Sequence, residues 1–209
     1  MNHIRGNNYF NLDFSQDLHT HPFERGKSYE AMEAFVQRAI ELGLTGIALT
    51  DHAPMASHFA TKHCMSVDDV ERYLNYSEKL RDKYFNDIQV FTGFEADYHP
   101  DNIEMINNLR KNYRFDLLIG AVHLHTLPWK DTVIKMNREE LVDFAFKQTI
   151  DLINTGLFDV LYIFVCDIIF FELQPKIFCK IGPDHFTKSI INQTERVHIS
   201  EFEHISFRI

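Results

Sequence analysis

Two histidines one residue apart, in the run Gln16-Asp17-Leu18-His19-Thr20-His21, are the first residues whose types and spacing suggest chemistry. The residues before them predict a short strand over 14–18. In extended chain, residues i and i+2 project from the same face, so His19 and His21 can reach one point in space. Two neutral imidazoles meeting at a strand end make half of a metal site. Alone, the pair reads more simply as two polar residues at a strand-to-loop junction. What gives it weight is a series of similar strand ends downstream.

Those strand ends follow from hydrophobic periodicity. Met32, Phe35, Val36, Ala39 and Ile40 have the spacing of a helix burying one stripe over 28–42, and Gly43 is placed to stop it. An almost fully apolar strand over 45–50 then ends in Asp51-His52. Such a strand after an amphipathic helix implies a parallel sheet covered by helices. Ser66-Val67-Asp68-Asp69 resembles a capping box, with Asp in place of Glu, opening a helix to about Tyr84. A third strand over 88–92 leads into Gly93-Phe94-Glu95-Ala96-Asp97-Tyr98. Asp101 is placed to cap a helix through Leu109, and a fourth strand over 115–122 ends in His123-Leu124-His125. Asn137, with Glu140 three residues on, begins a helix whose stripe is Leu141, Phe144, Ala145 and Leu152. Gly156 ends it, and Phe158-Asp159-Val160-Leu161 starts a fifth strand.

His19, His21, His52, Glu95 and His123 thus fall at or just past the carboxyl ends of parallel strands, which share one mouth in a barrel or open sheet. Each has a plainer explanation: His52 begins a loop, Glu95 is a solvated carboxylate, His123 is satisfied by a backbone carbonyl. Five such residues at one rim favour a metal centre.

The bulk composition bounds the alternatives. With 209 residues, 45% hydrophobic and 24% charged, the chain has enough apolar content for one sizeable core. A net charge of -9 argues against a surface that grips nucleic acid, whose phosphates need a basic footprint. Cys64, Cys166 and Cys179 form no C-x-x-C pattern, so a disulfide framework is not expected and a reducing cytoplasm is the default. The polar first twelve residues lack the apolar core of a signal peptide. The apolar run 157–173 contains Asp159, Asp167 and Glu172 and is short for a bilayer, so no membrane span is expected.

Asp17-Leu18-His19-Thr20-His21, Thr50-Asp51-His52-Ala53-Pro54, Gly93-Phe94-Glu95-Ala96-Asp97-Tyr98 and Gly120-Ala121-Val122-His123, in this order, resemble the PHP (polymerase and histidinol phosphatase) superfamily. The Asp-His-Ala-Pro and Glu-x-Asp-Tyr details, with Trp129 soon after, are most similar to its histidinol-phosphatase branch. The resemblance implies an α/β fold, a distorted (β/α)7-type barrel, holding up to three divalent transition metals, commonly zinc, manganese or iron. By the same resemblance His19 and His21 match ligands of one metal, Glu95 the carboxylate bridging two, His123 a ligand of the second and His52 a ligand of the third. Glu95 and His123 are then the catalytic residues as well. Imidazoles suit such borderline ions, whereas an all-oxygen site would favour calcium or magnesium. The implied reaction is hydrolysis of a small phosphorylated substrate, L-histidinol phosphate, in histidine biosynthesis. Arg25, Lys27 and His125 are candidates to bind substrate at the rim; an exposed loop position is the plainer account of each.

The chain departs from the family pattern in two places. A histidine expected eight residues after His19 is Lys27 here; either Glu24 takes its place, or the third metal is weak or absent. Beyond Leu161 the sequence continues Tyr162-Ile163-Phe164-Val165 without the expected histidine, and the strand-helix grammar is lost. Gly182-Pro183-Asp184-His185 imitates a late Asp-x-His motif but arrives too early. The expected organisation is an arm over 1–13, a PHP-like portion over 14–161 that is incomplete after the fifth strand, and a divergent or frameshifted segment over 162–209. A sheet missing its last units exposes an edge and apolar surface, which favours a homo-oligomer. Two other readings stay open: an amidohydrolase-like metal hydrolase, and a decayed homologue that binds metal without turnover.

Overall fold

The computed structural model describes residues 15–24, 27–60, 63–124 and 127–162. The expected arm, Arg25, His125 and everything expected of 163–209 lie outside these residues. Five strands, β1 (Gln16–Thr20), β2 (Gly46–Leu49), β3 (Gln89–Asp97), β4 (Leu117–Ala121) and β5 (Val160–Tyr162), form one sheet in chain order, and all are parallel. Helices α1 (Tyr29–Glu41), α2 (Val70–Lys83), α3 (Ile103–Asn112), α4 (Leu127–Val133) and α5 (Arg138–Asn154) make the crossovers. This is the expected α/β architecture, with five of the strands present among the described residues.

The crossovers are defined by their ends. Ser28 Oγ accepts from the Ala31 amide at 3.2 Å to open α1, and Gly43 at φ 75° turns the chain after it. Asn137 and Glu140 form a complete capping box on α5, and Gly156 at φ 63° follows its end. Met32, Val36, Tyr73, Leu80, Phe94, Leu118 and Leu152 are buried in the main core. A smaller cluster, Ala48, Leu117 and Ile119 with Leu18, Phe91, Val160 and Tyr162 packed on it, fills the other face.

The sheet is curled. Neighbouring strands lie about 4.8 Å apart, so in a flat sheet β1 and β5 would be roughly 19 Å apart. Yet the rings of His19 and Tyr162 have centroids 4.5 Å apart. The second face is therefore the concave inside of a partial barrel wall.

Several boundaries differ from the sequence reading. β1 runs two residues further, to Thr20. β3 is nine residues long and contains Glu95 and Asp97, which the sequence placed past its end. Ser66 makes no capping hydrogen bond from its side chain; a 3₁₀ turn over Val67–Asp69 precedes α2, and the Asp69 carboxylate pairs with Lys27 and Arg72 instead. Asp101 lies inside a second 3₁₀ turn, where His99, not Asp101, caps. α4 was not anticipated; its Trp129 is buried and donates from Nε1 to the Tyr98 carbonyl at 3.2 Å. No helix among the described residues is long and apolar enough to cross a membrane.

Candidate metal centre

A bulge in β1 aims its histidines. Asp17 pairs with Ile47 and Thr20 with Leu49, so three residue steps on β1 face two on β2. Strict alternation would put Leu18 and His19 on opposite faces. The extra residue lets both face inward: Leu18 packs on Ala48, Leu117 and Ile119, and His19 reaches Glu95. Thr20 is held by its hydroxyl, which donates to the Ala48 carbonyl at 2.7 Å.

The end of β2 is fixed to both neighbours. Asp51 is buried and accepts from the amides of Phe23 at 3.1 Å and Glu24 at 2.8 Å, pinning the loop that follows His21. Burial pushes its carboxyl up to about 6, against those two donors. His52 forms an isolated parallel bridge with Glu95, reinforced by Ala53 N–H donating to the Glu95 carbonyl at 2.7 Å. Asp17 accepts from its neighbour's amide, His19 N–H, at 3.2 Å. Both aspartates therefore cap backbone rather than orient a ligand ring.

Glu95 is the hub. Its side chain is 1% exposed, and its Oε2 lies 3.3 Å from His19 Nε2, 3.2 Å from His21 Nε2 and 3.2 Å from His52 Nδ1. Its Oε1 faces His123 Nε2 at 3.5 Å. Behind His123, Nδ1 pairs with the Asp97 carboxylate, which fixes the ring. Asp97, which the sequence offers only as part of a motif, is thereby a further candidate for the site. Its i+2 position after Glu95 on one strand face was the signal available, hidden because the strand was ended too early.

Charge is balanced inside this group. Burial acts against the Glu95 carboxylate, but hydrogen bonds from His19 and His21 and the nearby His52 outweigh it and hold Glu95 well below the usual carboxylate range. Burial acts to lower His21, but Glu95 outweighs it and raises the imidazole. Burial keeps His52 below the ordinary histidine value, despite Glu95 and Asp97, and so favours the neutral form that binds metals.

The donors fit a cation cluster. His19 Nε2, His21 Nε2 and Glu95 Oε2 form a triangle with edges of 3.0, 3.3 and 3.2 Å. Ligands about 2.0–2.1 Å from a tetrahedral ion would be separated by about 3.3 Å. Two imidazole nitrogens at 3.0 Å repel unless a proton or a cation lies between them. Glu95 Oε1 and His21 Nδ1 are buried without a hydrogen-bond partner. Three triads converge in this way: His19, His21 and Glu95; His52, Glu95 and His123; and His21, Glu24 and His52. All five expected ligands are thus brought together. Lys27 is turned to Asp69, its Nζ 3.1 Å from the carboxylate, and Arg25 and His125 are outside the described residues. The sequence reading did not find His63, whose Nδ1 lies 2.5 Å from Glu24 Oε1.

The PHP domain matches residues 17–168. A "Probable histidinol-phosphatase" of Deinococcus radiodurans is 26% identical over 107 residues, 51% of this chain and 41% of the relative. The "Histidinol-phosphatase" of Bacillus subtilis (strain 168) is 26% identical over 120 residues, 53% of this chain and 45% of the relative. The aligned part therefore spans less than half the length of these relatives. Among solved structures, the Lactococcus lactis histidinol phosphate phosphatase, complexed with zinc, L-histidinol and phosphate, superposes with a TM-score of 0.57 at 18% identity, covering 70% of this chain and 56% of that one. A Listeria monocytogenes protein assigned provisionally as the histidinol phosphatase hisK gives 0.61 at 19% identity, over 70% and 65%. At these identities the superpositions speak for the fold.

Proposed function

The chain belongs to the PHP family, and from that premise we propose that it is a metal-dependent phosphomonoesterase of a small substrate, L-histidinol phosphate, serving histidine biosynthesis. Family membership decides against the amidohydrolase-like alternative. The observation that carries the proposal is Glu95, buried and ionised among four imidazoles drawn from three other strand ends. The choice of substrate rests on the names of the relatives and on the histidinol and phosphate bound to the Lactococcus lactis protein.

His19, His21, His52, Glu95 and His123 would hold divalent cations, which neutralise phosphoryl charge and lower the pKa of water at such a centre. Glu95 offers one oxygen toward His19, His21 and His52 and the other toward His123, so a single carboxylate serves two sides of the cluster. Asp97, by accepting a hydrogen bond from Nδ1–H of His123, would leave the Nε2 lone pair facing inward. Arg25, Lys27 and His125 are the side chains this reading sends to the phosphate, and Lys27 would leave Asp69 to reach it. No serine or cysteine nucleophile is needed.

Zinc- or manganese-loaded chain is expected to release phosphate from L-histidinol phosphate, while His21→Ala and Glu95→Ala lose both bound metal and turnover. Unchanged metal content in those variants would overturn the site. A second reading, metal held without turnover, is favoured by Tyr162-Ile163 standing where the resemblance expects a histidine. Bound metal with no phosphate released would decide for it.

A further inference from the structure

β3 changes partners in mid-strand. It pairs with β2 from Gln89 to Thr92 and with β4 from Gly93 to Asp97, and β2 rejoins it at the isolated His52–Glu95 bridge. Between the last regular pair, Leu49 with Thr92, and that bridge, the β2–β3 ladder is interrupted. Leu49 stands three residues before His52, and Gly93 two before Glu95. The break therefore lies directly beneath the hub. Buried carbonyls at such a break are costly unless a donor reaches them.

A side chain from outside the sheet supplies that donor. Tyr73 of α2 is fully buried, and its hydroxyl is offered to the Leu49 carbonyl at 2.5 Å and to the Gly93 carbonyl at 3.0 Å. The Asp51 amide lies against the same hydroxyl. Burial holds the phenol well above its ordinary 10, so the group stays protonated and remains a donor. The ring meets Phe23 and Phe94, with centroids 5.5 and 5.2 Å away. One side chain thus touches the chain within three residues of His21, of His52 and of Glu95. A phenylalanine would fill the same core volume, so the packing alone does not call for the hydroxyl.

Resting on the metal-centre reading above, we propose that Tyr73 is a positioning residue of that centre, its hydroxyl bridging the break between β2 and β3 and so holding Glu95 at the distance from His52 that a shared ion requires. It acts through the backbone of Leu49 and Gly93 and not on the ion itself. Glu95 Oε2 and His52 Nδ1 face each other at 3.2 Å across this same gap, so a change in strand separation is passed to them directly.

Zinc titration by calorimetry of the full chain, Tyr73→Phe and Leu80→Val tests this, together with the visible spectrum of each chain loaded with cobalt(II). Tyr73→Phe keeps the ring and loses only the hydroxyl. It is expected to bind zinc about 10-fold less tightly and to shift the cobalt(II) bands, which report ligand geometry. Leu80→Val alters a buried side chain of the same helix that makes no bond to a strand carbonyl. It should lower the urea midpoint of the metal-free chain while zinc affinity and cobalt(II) bands stay as in the unaltered chain. Unchanged affinity and spectrum in Tyr73→Phe would overturn the proposal, as would an equal loss in Leu80→Val. A metal-free Tyr73→Phe that does not fold would overturn it too, by making the hydroxyl a requirement of the fold alone. Glu95→Gln separates this from the reading beneath it. If Glu95→Gln loses zinc while Tyr73→Phe binds as the unaltered chain does, the centre stands and the role of Tyr73 falls. If Glu95→Gln binds zinc unchanged, the centre itself falls and the role of Tyr73 with it.

Discussion

Glu95 and His21 shift one another in opposite directions, and that opposition gives the metal-free chain a pH signature. Glu95 raises His21 above its ordinary 6.5 despite burial. The proton is bound more tightly in the folded chain, so this contribution to stability is fully present below pH 6.5 and is lost as pH rises through the folded value. Glu95 is depressed below 4.5, so its contribution is present above that pH and is lost as pH falls through the depressed value. The pair therefore stabilises most between about pH 4.5 and 6.5. Asp51, raised by burial to about 6, contributes stability that declines as pH rises from 3.8 through 6. His52, lowered by burial, contributes in the opposite sense as pH rises to 6.5, so the expected signature of His21 is a difference: between pH 6 and pH 8 the urea midpoint of metal-free His21→Ala should fall less, or rise more, than that of the unaltered chain. An identical slope in that variant would show that His21 is not the titrating group. Metal binding must displace the same proton, so zinc affinity should run the other way and increase over this range.

Among the elements, β3 carries the greatest constraint, because it brings Glu95 and Asp97 to the centre from one strand. A Cβ at Gly93 would meet the Leu117 carbonyl oxygen of β4 at 2.5 Å. Backbone cannot yield as a side-chain tip does, so the two strands would have to separate two residues before Glu95. Gly93→Ala is expected to cost about 1–3 kcal/mol in urea unfolding and to weaken zinc binding. Loss of stability with intact zinc affinity would show that the hub tolerates movement of β3. The helices were readable because an apolar stripe on a polar helix has a clear period, as in Met32, Val36 and Ala39, and because Asn137 and Glu140 form a complete local signal. The far half of β3 was not, since glycine and two acidic residues within nine look like a loop unless their burial is known. The β1 bulge was equally hidden: it depends on how β2 pairs, not on any residue of β1. The candidate ligands were legible as types at strand ends, whereas Glu24 with His63 and Asp97 with His123 become pairs only when distant segments fold together.

Over the whole molecule, each of the first four strands contributes at least one donor to the cluster: His19 and His21 from β1 and its end, His52 after β2, Glu95 in β3 and His123 after β4. No single β/α unit can assemble the centre. Metal affinity should therefore couple to global stability, and zinc at 100 times its dissociation constant is expected to add about 2.7 kcal/mol to unfolding, reversed by a chelator. A urea midpoint unmoved by zinc would mean that the ion binds folded and unfolded chain alike. The strand order carries this further. An ion shared through Glu95 would tie His19 to His123 across roughly a hundred residues of chain, much as a reducible crosslink closes a loop and depletes the freedom of the unfolded ensemble. A protease cut in the surface connection between β2 and α2 would then leave two fragments that stay associated while the ion is in place and part company when it is stripped out.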